Sequence, residues 1–496
     1  MSMQNVRVKP DLKVCQELAA EGRYGLIPVS TEIYADAITP VEALRKLKKV
    51  SRHVFLLESA EADKRWGRYS FLGYDPLLEI TCYDGEVTVK SPMNTRRTGE
   101  DVRESIRKLL AENKSPVLEG LPPFTGGLAG YFSYDYIKYS EPSLKLDAED
   151  EEGFQDVNLM LFHKLVAFDN YRQKIILIVN IRTEDLETNY NKAVLELDGM
   201  RRLLREGEKE ENLPLRLLTD FKPLFDKTRY CAMVEQAKEH IKEGDIFQAV
   251  LSNRLEAEME GSLLDAYRVL RTTNPSPYMF YFSGHDGEIA GASPETLVKL
   301  EEGKLYTFPL AGTRPRGRTP KEDLELERQL LSDEKELAEH NMLVDLGRND
   351  LGRISKIGSV RVEKYASVER YSHVMHLGST VSGQIREDAD ALDAVDAILP
   401  AGTLSGAPKL KACEIINKLE NNKRGIYGGA IGYLSFTGNL DTCIAIRLAF
   451  SKNGKVFIRS GAGIVADSVP QREYEECIQK AAVVKNAVME AKEGLE

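Results

Sequence analysis

The sequence predicts an α+β fold whose sheets are mainly antiparallel. Short runs rich in β-branched and aromatic residues recur throughout the 496 residues, and helical stretches separate them without a regular strand–helix alternation. Some runs are joined by hairpin-type turns, such as the Asn-Gly turn in SKNGKV at 451–456. Parallel strands would instead need a long crossover between them.

The N-terminal half contains several strand-like runs and one clear helix start. In TPVEALRKL, Thr39 can cap a helix and Pro40 suits its first turn. The strand-like runs are VFLLES at 54–59, LLEITCYDGEVTV at 77–89, LMLFHKLVAFD at 159–169 and KIILIVNI at 174–181.

A charged stretch, RRLLREGEKEENLPLR at 201–216, separates two differently patterned halves. We therefore expect an N-terminal domain over 1–205 and a second domain over 220–492. Gly-containing turns punctuate the candidate strands of the second domain, which are DIFQAVLSNRLEAEM, YMFYFSG, EIAGASPETLVKL, GAIGYLSF, DTCIAIRLAFS and KVFIRSGAG.

Composition excludes several classes of function. The formal charge is −11, with 67 Lys and Arg against 78 Asp and Glu, which gives no basic surface for nucleic acid or anionic lipid. No segment approaches the roughly 18 apolar residues of a membrane span, and we expect a cytoplasmic protein. The six cysteines lack the spacing of a zinc site or a disulfide framework.

The segment REYEECIQKAAVVKN at 472–486 has the period of a helix but carries charges within its apolar stripe. At about 100° per residue, Glu473, Glu476 and Lys480 fall in one sector. Apolar side chains such as Cys477 flank that sector on both sides. The pattern predicts carboxylates on the buried face of a helix.

A second segment, SDEKELAEHNMLVDLGR at 332–348, repeats this pattern. It starts at a capping Ser332 and places Glu336 and Glu339 on the face of Leu343. One such pair is common on a solvated helix face, but two inward pairs favour a function. Because clustered carboxylates repel each other, a hard divalent cation such as Mg²⁺ would resolve the arrangement, and Lys480 could hold a second anion beside it.

Three further side chains are candidates for chemistry. Glu295, in GASPETLV, could be a general acid if burial raises its pKa. Arg447, in the strand-like CIAIRLAF, is either a residue at the rim or a carboxylate clamp. His376, in YSHVMHLGSTVSG, is either structural or catalytic.

Two glycine-containing segments could present backbone N–H groups to an anion. In RSGAGIVADS, Gly461 and Gly463 end a strand and allow close approach. In PAGTLSGAPKLKACEII, Thr403 precedes a helix that can begin at Pro408.

Ordered motifs across the second half resemble the chorismate-utilising enzymes, most closely the anthranilate-forming branch. The resemblance covers nearly all of 225–490 and, more weakly, the N-terminal half. It implies two mainly antiparallel sheets packed together with helices outside. The motifs are GASPE, PLAGTRPRG, ELAEHNMLVDLGRNDLGR, AGTLSGAPK, GIYGGAIGY, IRSGAGIVADS and EYEEC.

The resemblance implies Mg²⁺ as cofactor and assigns roles to the candidate residues. Glu339 and Glu476 would be direct metal ligands, with Glu336 and Glu473 supporting them through water. Glu295 resembles the acid that protonates the departing 4-hydroxyl of chorismate, and His376 resembles the residue needed for pyruvate elimination; Gln248 and Thr403 belong to the same catalytic region. The substrate carboxylates would be received by Gly312, Thr313, Tyr427, Arg447, Gly461, Ala462, Gly463 and Lys480.

Two positions discriminate among the branches of this family. Water-adding relatives carry a lysine base where this chain has Gln248, and an amide cannot deprotonate water. Aminodeoxychorismate-forming relatives carry a nucleophilic lysine where this chain has Ala311. The expected reaction is amination of chorismate at C2 and loss of pyruvate to give anthranilate, the first committed step of tryptophan biosynthesis.

The resemblance also implies a partner and an inhibitor. Because the chain shows no cysteine nucleophile for glutamine, ammonia would come from a separate glutamine amidotransferase subunit in a hetero-oligomer. The segments LLESAE at 56–61 and NPSPYMFYF at 274–282 resemble the family's tryptophan feedback site. The expected contacts are Glu58, Ser59, Pro277, Tyr278 and Met279. The remaining alternatives are the aminodeoxychorismate enzyme and a catalytically silent amino-acid-sensing subunit.

Overall fold

Strands and helices follow each other irregularly along the chain, as in other α+β proteins. The computed structural model describes residues 7–60, 67–211, 213–370, 374–492 and 494–495. Its helices are α1 Leu12–Ala20, α2 Pro40–Val50, α3 Val102–Glu112, α4 Ile137–Ser140, α5 Leu186–Glu206, α6 Lys227–Lys242, α7 Leu264–Thr273, α8 Pro320–Ser332, α9 Glu334–Gly352, α10 Ala391–Ile398, α11 Lys409–Glu420 and α12 Pro470–Glu490.

The strands belong to two large sheets. In chain order they are β1 Leu26–Tyr34, β2 Val54–Glu58, β3 Tyr69–Tyr74, β4 Leu78–Tyr83, β5 Glu86–Ser91, β6 Asn94–Thr98, β7 Gly127–Phe132, β8 Val157–Phe162, β9 Lys164–Asp169, β10 Lys174–Arg182, β11 Arg216–Leu217, β12 Lys222–Pro223, β13 Gln248–Glu260, β14 Tyr278–Ser283, β15 Glu288–Ser293, β16 Thr296–Glu301, β17 Lys304–Thr307, β18 Leu310–Pro315, β19 Arg361–Arg370, β20 Val374–Gln384, β21 Gly406–Ala407, β22 Ala430–Ser435, β23 Leu440–Ile444, β24 Leu448–Lys452 and β25 Lys455–Ile464.

The sheets confirm the predicted fold class. The first has 13 strands in the order β1-β10-β9-β3-β2-β14-β15-β24-β25-β13-β11, with β12 and β21 also paired to β13. The second has 12 strands in the order β18-β20-β17-β16-β23-β22-β7-β8-β4-β5-β6, with β19 paired to β20. The paired strands run antiparallel, including β2 with β14 and β7 with β22.

Both sheets combine strands from the two halves of the chain. β2 and β14 lie on either side of the charged stretch 201–216, and so do β7 and β22. That stretch itself begins within α5, which continues to Glu206. The division into 1–205 and 220–492 stays a prediction.

The core lies between the sheets and beneath the helices that cover them. Aromatic side chains such as Phe55, Phe162 and Phe457 fill the space between the two sheets. On the outer face of the first sheet, Leu197 of α5 and Val488 of α12 join another apolar cluster. Across the described residues, none of the helices combines the length and hydropathy that crossing a bilayer requires. The cytoplasmic location stays a prediction.

Candidate active site

Two crossovers between the sheets lie side by side and carry two of the predicted residues. Glu295 lies between β15 of the first sheet and β16 of the second, and Arg447 lies between β23 and β24, where the chain returns. The Ile444 N–H donates to the Glu295 carbonyl at 2.9 Å, which ties the crossovers together. Arg447 has φ +50°, so the expectation that it lies within a strand is wrong. This backbone conformation, which a non-glycine residue rarely adopts, occurs where the chain changes sheets.

The environment of the Glu295 carboxyl suits a general acid. Thr403 donates its hydroxyl to Glu295 Oε1 at 3.3 Å. Beside them is a cavity of about 40 Å³ whose lining includes the apolar side chains of Leu343 and Leu346. Burial raises the pKa of Glu295 to about 7, although Thr403 and Arg447 oppose the shift. The carboxyl can therefore still carry its proton near neutral pH.

His376 is held in one tautomer by a bulge in the second sheet. It pairs with Thr313 in the β18–β20 ladder, and Gly312, at φ +62°, is the extra residue of β18. His376 Nδ1 lies 2.8 Å from the Gly312 carbonyl oxygen and 3.1 Å from Thr313 Oγ1. A carbonyl only accepts, so Nδ1 carries the proton and the lone pair is on Nε2. Burial lowers the pKa of His376, which keeps the ring neutral at pH 7.

The two helices that were predicted to carry inward carboxylates face each other, but the carboxylates are not all buried. Glu336 and Glu473 are half-buried, whereas Glu339 and Glu476 are exposed, Glu476 by 50% of its side chain. The expectation of buried faces is therefore wrong for Glu339 and Glu476, because they reach solvent between α9 and α12. Burial raises the pKa of Glu339, and Glu336 and Glu476 raise it further. Carboxylates of both helices therefore raise the pKa of the same group, Glu339.

The start of α9 contains an ion pair that the sequence analysis missed. Arg314 donates to Asp333 at 2.7 Å and to Glu336 at 3.3 Å. Asp333, rather than the predicted Ser332, caps the helix by accepting from two backbone N–H groups; Ser332 instead ends α8. The sequence signal for Arg314 was the motif PLAGTRPRG, in which Arg314 directly follows the predicted binding residue Thr313.

These carboxylates fit Mg²⁺ by donor type. All four donors are hard oxygens, and the raised pKa of Glu339 reports a repulsion that a cation would relieve. Within the part of the chain that the structure describes, none of the four belongs to a group of three side chains whose ligand atoms lie within 4.8 Å of one another. Mg²⁺ usually has few direct protein ligands and keeps several waters.

Most of the remaining predicted residues lie in β25 or contact it. Lys480 contacts the Glu476 carboxylate at 2.7 Å and the Gly461 carbonyl oxygen at 3.3 Å. A Cβ at Gly461 would lie 2.9 Å from the Tyr427 hydroxyl, and one at Gly463 would lie 2.9 Å from Gln248 Nε2. Gly461, Ala462 and Gly463 lie at the end of β25, as the sequence predicted, and pair with β13. Small residues here let Tyr427 and Gln248 approach the backbone.

The residues predicted to bind an effector lie on both faces of the first sheet. Glu58 and Met279 are neighbours in the β2–β14 ladder, and Glu58 accepts hydrogen bonds from Tyr267 and Arg271 on the helix-covered face. Tyr278 points into the space between the sheets instead. There Pro277 and Tyr278 border a cavity of about 870 Å³. Ser59 follows β2 immediately.

The sequence analysis missed a half-buried polar pair beside that cavity. Tyr278 donates its hydroxyl to Asp441 at 2.8 Å and lies 2.9 Å from the Thr296 hydroxyl. Burial raises the pKa of Asp441. The sequence signal for this pair was Asp441, the first residue of the strand-like run DTCIAIRLAFS. Because Thr296 adjoins Glu295, this pair links the cavity to the crossover that carries the acid.

Comparisons with known proteins show which family the chain resembles. The profile of the chorismate binding enzyme family matches residues 52–486. The chain is 46% identical to anthranilate synthase component 1 of Acetivibrio thermocellus over 479 residues, covering 95% of this chain and 97% of the relative. It is 44% identical to the protein of that name from Aquifex aeolicus strain VF5 over 483 residues, with the same coverage.

Two solved structures resemble the fold. Anthranilate synthase component I from Streptococcus pneumoniae TIGR4 is 39% identical and superposes with a TM-score of 0.75, covering 91% of this chain and 98% of that chain. The menaquinone-specific isochorismate synthase MenF from Escherichia coli gives a TM-score of 0.70 at 19% identity, covering 96% of this chain and 99% of its own. The second likeness bears on the fold alone.

Proposed function

The chain belongs to the chorismate-binding enzyme family, and on that premise we propose that it aminates chorismate at C2 and releases pyruvate to give anthranilate. The observation that carries this proposal is that Glu295, Arg447 and His376 lie close enough together to interact electrostatically. Glu295, with its pKa near 7, interacts with Arg447, and Arg447 in turn interacts with the neutral His376. Glu336 of the acidic helix pair also acts on His376. An acid, a potential base and a metal-binding group therefore adjoin each other.

Each residue has a task in this reaction. Glu295 gives its proton to the 4-hydroxyl, which leaves as water while ammonia bonds to C2, and Thr403 orients the acid. His376 Nε2 accepts a proton during the loss of pyruvate. Glu339 and Glu476 would hold Mg²⁺ directly, with Glu336 and Glu473 acting through water; when bound, the ion neutralises and orients a substrate carboxylate. The substrate's carboxylates are received by Gly312, Thr313, Tyr427, Arg447, Lys480 and the backbone of 461–463.

Two side chains favour ammonia addition over the related reactions. Gln248 begins β13 and adjoins Gly463, and its amide cannot activate water. Ala311, immediately before Gly312, has no nucleophile for the covalent aminodeoxychorismate route. We therefore place the chain in the anthranilate-forming branch. The charges gathered at the site argue against a silent sensing subunit.

The nitrogen source is ammonia that a partner releases from glutamine. Five of the six cysteines are buried and Cys231 is half-buried, so none resembles an exposed nucleophile. The relatives are named component 1, which implies a second component. We propose that this component is a glutamine amidotransferase subunit.

The direct test is to incubate the isolated chain with chorismate, Mg²⁺ and ammonium salt and to follow anthranilate fluorescence. We expect Mg²⁺-dependent anthranilate formation with ammonium and none with glutamine. In Glu476→Gln the Mg²⁺ concentration for half-maximal rate should rise about 10- to 100-fold, because one charged ligand is lost.

The control for this variant is Glu475→Gln on the same helix. Glu475 pairs with Lys227 at the surface, so its loss should leave the Mg²⁺ dependence unchanged. Wild-type behaviour of Glu476→Gln would refute the metal assignment. Aminodeoxychorismate as product would place the chain in the rival branch, and no consumption of chorismate would favour the silent subunit.

We also propose that tryptophan inhibits the enzyme at the cavity bordered by Pro277 and Tyr278. Its lining offers Lys299 for a carboxylate, Asp441 for an ammonium group and aromatic faces such as Tyr433 for an indole ring. The contact of Tyr278 with Thr296 couples this cavity to Glu295. Tryptophan would thereby favour a state that binds chorismate poorly.

Ser59→Phe tests the effector site. Because Ser59 is one of the contacts that the family resemblance predicts, a bulky side chain there should overpack the effector site, which costs about 1–3 kcal/mol and raises the inhibition constant for tryptophan about tenfold or more. The KM for chorismate should stay the same. Ser91→Phe, at the end of β5, is the matched control and should keep normal inhibition. Unaltered inhibition in Ser59→Phe would contradict the assignment.

A further inference from the structure

Two histidines and a glutamate from both sheets meet at the end of the molecule opposite the crossovers. His53 directly precedes β2, His285 lies in the turn between β14 and β15, and Glu79 belongs to β4 of the second sheet. One ligand atom from each lies within 4.8 Å of the other two. The histidine rings are 4.6 Å apart, edge to face. Glu295 is at the other end of β15, so this cluster is separate from the site described above.

The cluster contains two buried polar atoms with no partner among the described residues. These are His53 Nε2 and Glu79 Oε2. Glu79 is only 3% exposed, and its other oxygen accepts from Asn158 at 2.9 Å. An unpartnered buried acceptor is costly and rare in native proteins. A bound cation would satisfy both atoms at once.

The other group of this kind within the described ranges lacks that feature. His240, Glu243 and Asp245 also bring ligand atoms within 4.8 Å of each other. However, they surround the end of α6 at the surface, and His240 Nδ1 is already 2.8 Å from Asp245 Oδ2. This group serves as a control.

We propose that His53, Glu79 and His285 form a site for a divalent transition-metal ion of the Zn²⁺ class, which joins the two sheets. Two imidazoles and one carboxylate suit Zn²⁺, whereas Mg²⁺ prefers oxygen donors alone. Tetrahedral Zn²⁺ with bonds of about 2.0–2.1 Å separates its ligand atoms by about 3.3 Å, which side-chain rotation can reach from the present spacing. His285 is exposed, so the ion can enter and can keep a water as its fourth ligand.

Burial lowers the pKa of His53. Zn²⁺ binds an imidazole in its neutral form. Arg52 and Lys90 lower that pKa as well, while Glu79 opposes the shift. The negative charge of the carboxylate also offsets part of the charge of the ion.

The test uses the full chain freed of metal with a chelator and titrated with Zn²⁺ by calorimetry and with Co²⁺ by visible absorption. We expect one high-affinity ion per chain, with Co²⁺ bands that indicate imidazole coordination. His285→Ala should weaken binding about 100-fold, and so should the nearly isosteric Glu79→Gln. Zn²⁺ should also raise the Tm of the wild type and not that of His285→Ala.

Two control variants separate this site from the other acidic groups. His240→Ala and Glu476→Gln should both retain the wild-type affinity for Zn²⁺ and the Co²⁺ bands. Equal binding by wild type and His285→Ala would overturn the proposal. Loss of the high-affinity ion in either control variant would also overturn it, by assigning the ion elsewhere.

Discussion

Replacing Glu295 by Gln is expected to lower kcat/KM for anthranilate formation by about 10²- to 10⁴-fold. The amide keeps the shape of the side chain and can still accept from Thr403, but it has no proton to give to the 4-hydroxyl. The wild-type carboxyl can act as the acid near pH 7 because burial raises its pKa to about 7. The loss should therefore appear mainly in kcat.

The pH dependence gives a second readout for the same residue. Because its pKa is raised, Glu295 is protonated below about pH 7 and loses its proton as the pH rises through that value. The wild-type rate should therefore fall above about pH 7, and this limb should be missing from the profile of Glu295→Gln. Glu302→Gln, in the exposed turn after β16, is the control and should keep both rate and profile. A wild-type rate in Glu295→Gln would exclude Glu295 as the acid.

Sequence reasoning predicted several helices correctly because caps and helical periodicity are local signals. Thr39 caps α2, and the Glu473 segment forms a helix, as the pattern predicted. Residues from distant motifs also meet, for example Thr403 with Glu295 and Thr313 with His376. The family resemblance placed these residues in one site. Helical or strand periodicity could not have done so, because it carries no information about contacts between residues 63 or more positions apart.

The features that sequence reasoning did not predict depend on contacts between distant parts of the chain. An apolar stripe does not distinguish a core from the wall of an open gap, which is why Glu339 and Glu476 proved exposed. The strand pattern around Arg447 could not reveal that the chain changes sheets there. Similarly, Glu420 and Arg424 look like an ordinary surface pair four residues apart, although they are among the most buried charges of the described chain.

The Glu420 carboxylate lies at the centre of a buried polar network. It is 1% exposed and accepts from Arg424 Nε at 2.9 Å, Arg459 Nη2 at 3.3 Å and the Ser252 N–H at 2.7 Å. Arg424 also donates to the Leu404 carbonyl at 2.7 Å. Leu404 follows Thr403, so the network supports the segment that donates a hydrogen bond to Glu295, the proposed acid.

Glu420→Ala is expected to lower the free energy of unfolding by about 3–5 kcal/mol, measured by urea denaturation. The change leaves two arginines buried without their counter-charge, which costs more than the pair itself contributes. Glu414→Ala on the same helix is the control. Glu414 pairs with Lys411 at the surface, 3.4 Å away, and its loss should change stability by less than about 0.5 kcal/mol.

The difference in the free energy of unfolding between wild type and Glu420→Ala should become smaller as the pH falls. Burial alone would raise the pKa of Glu420, but Arg424 and Arg459 outweigh it and hold the pKa below the ordinary value of 4.5. A lowered folded pKa means that the contribution is complete at neutral pH and is lost as the pH falls from 4.5 through the folded value. The gap between wild type and Glu420→Ala should therefore narrow in acid. A gap that stayed constant from pH 7 down to pH 3 would show that packing, and not the charge, accounts for the loss.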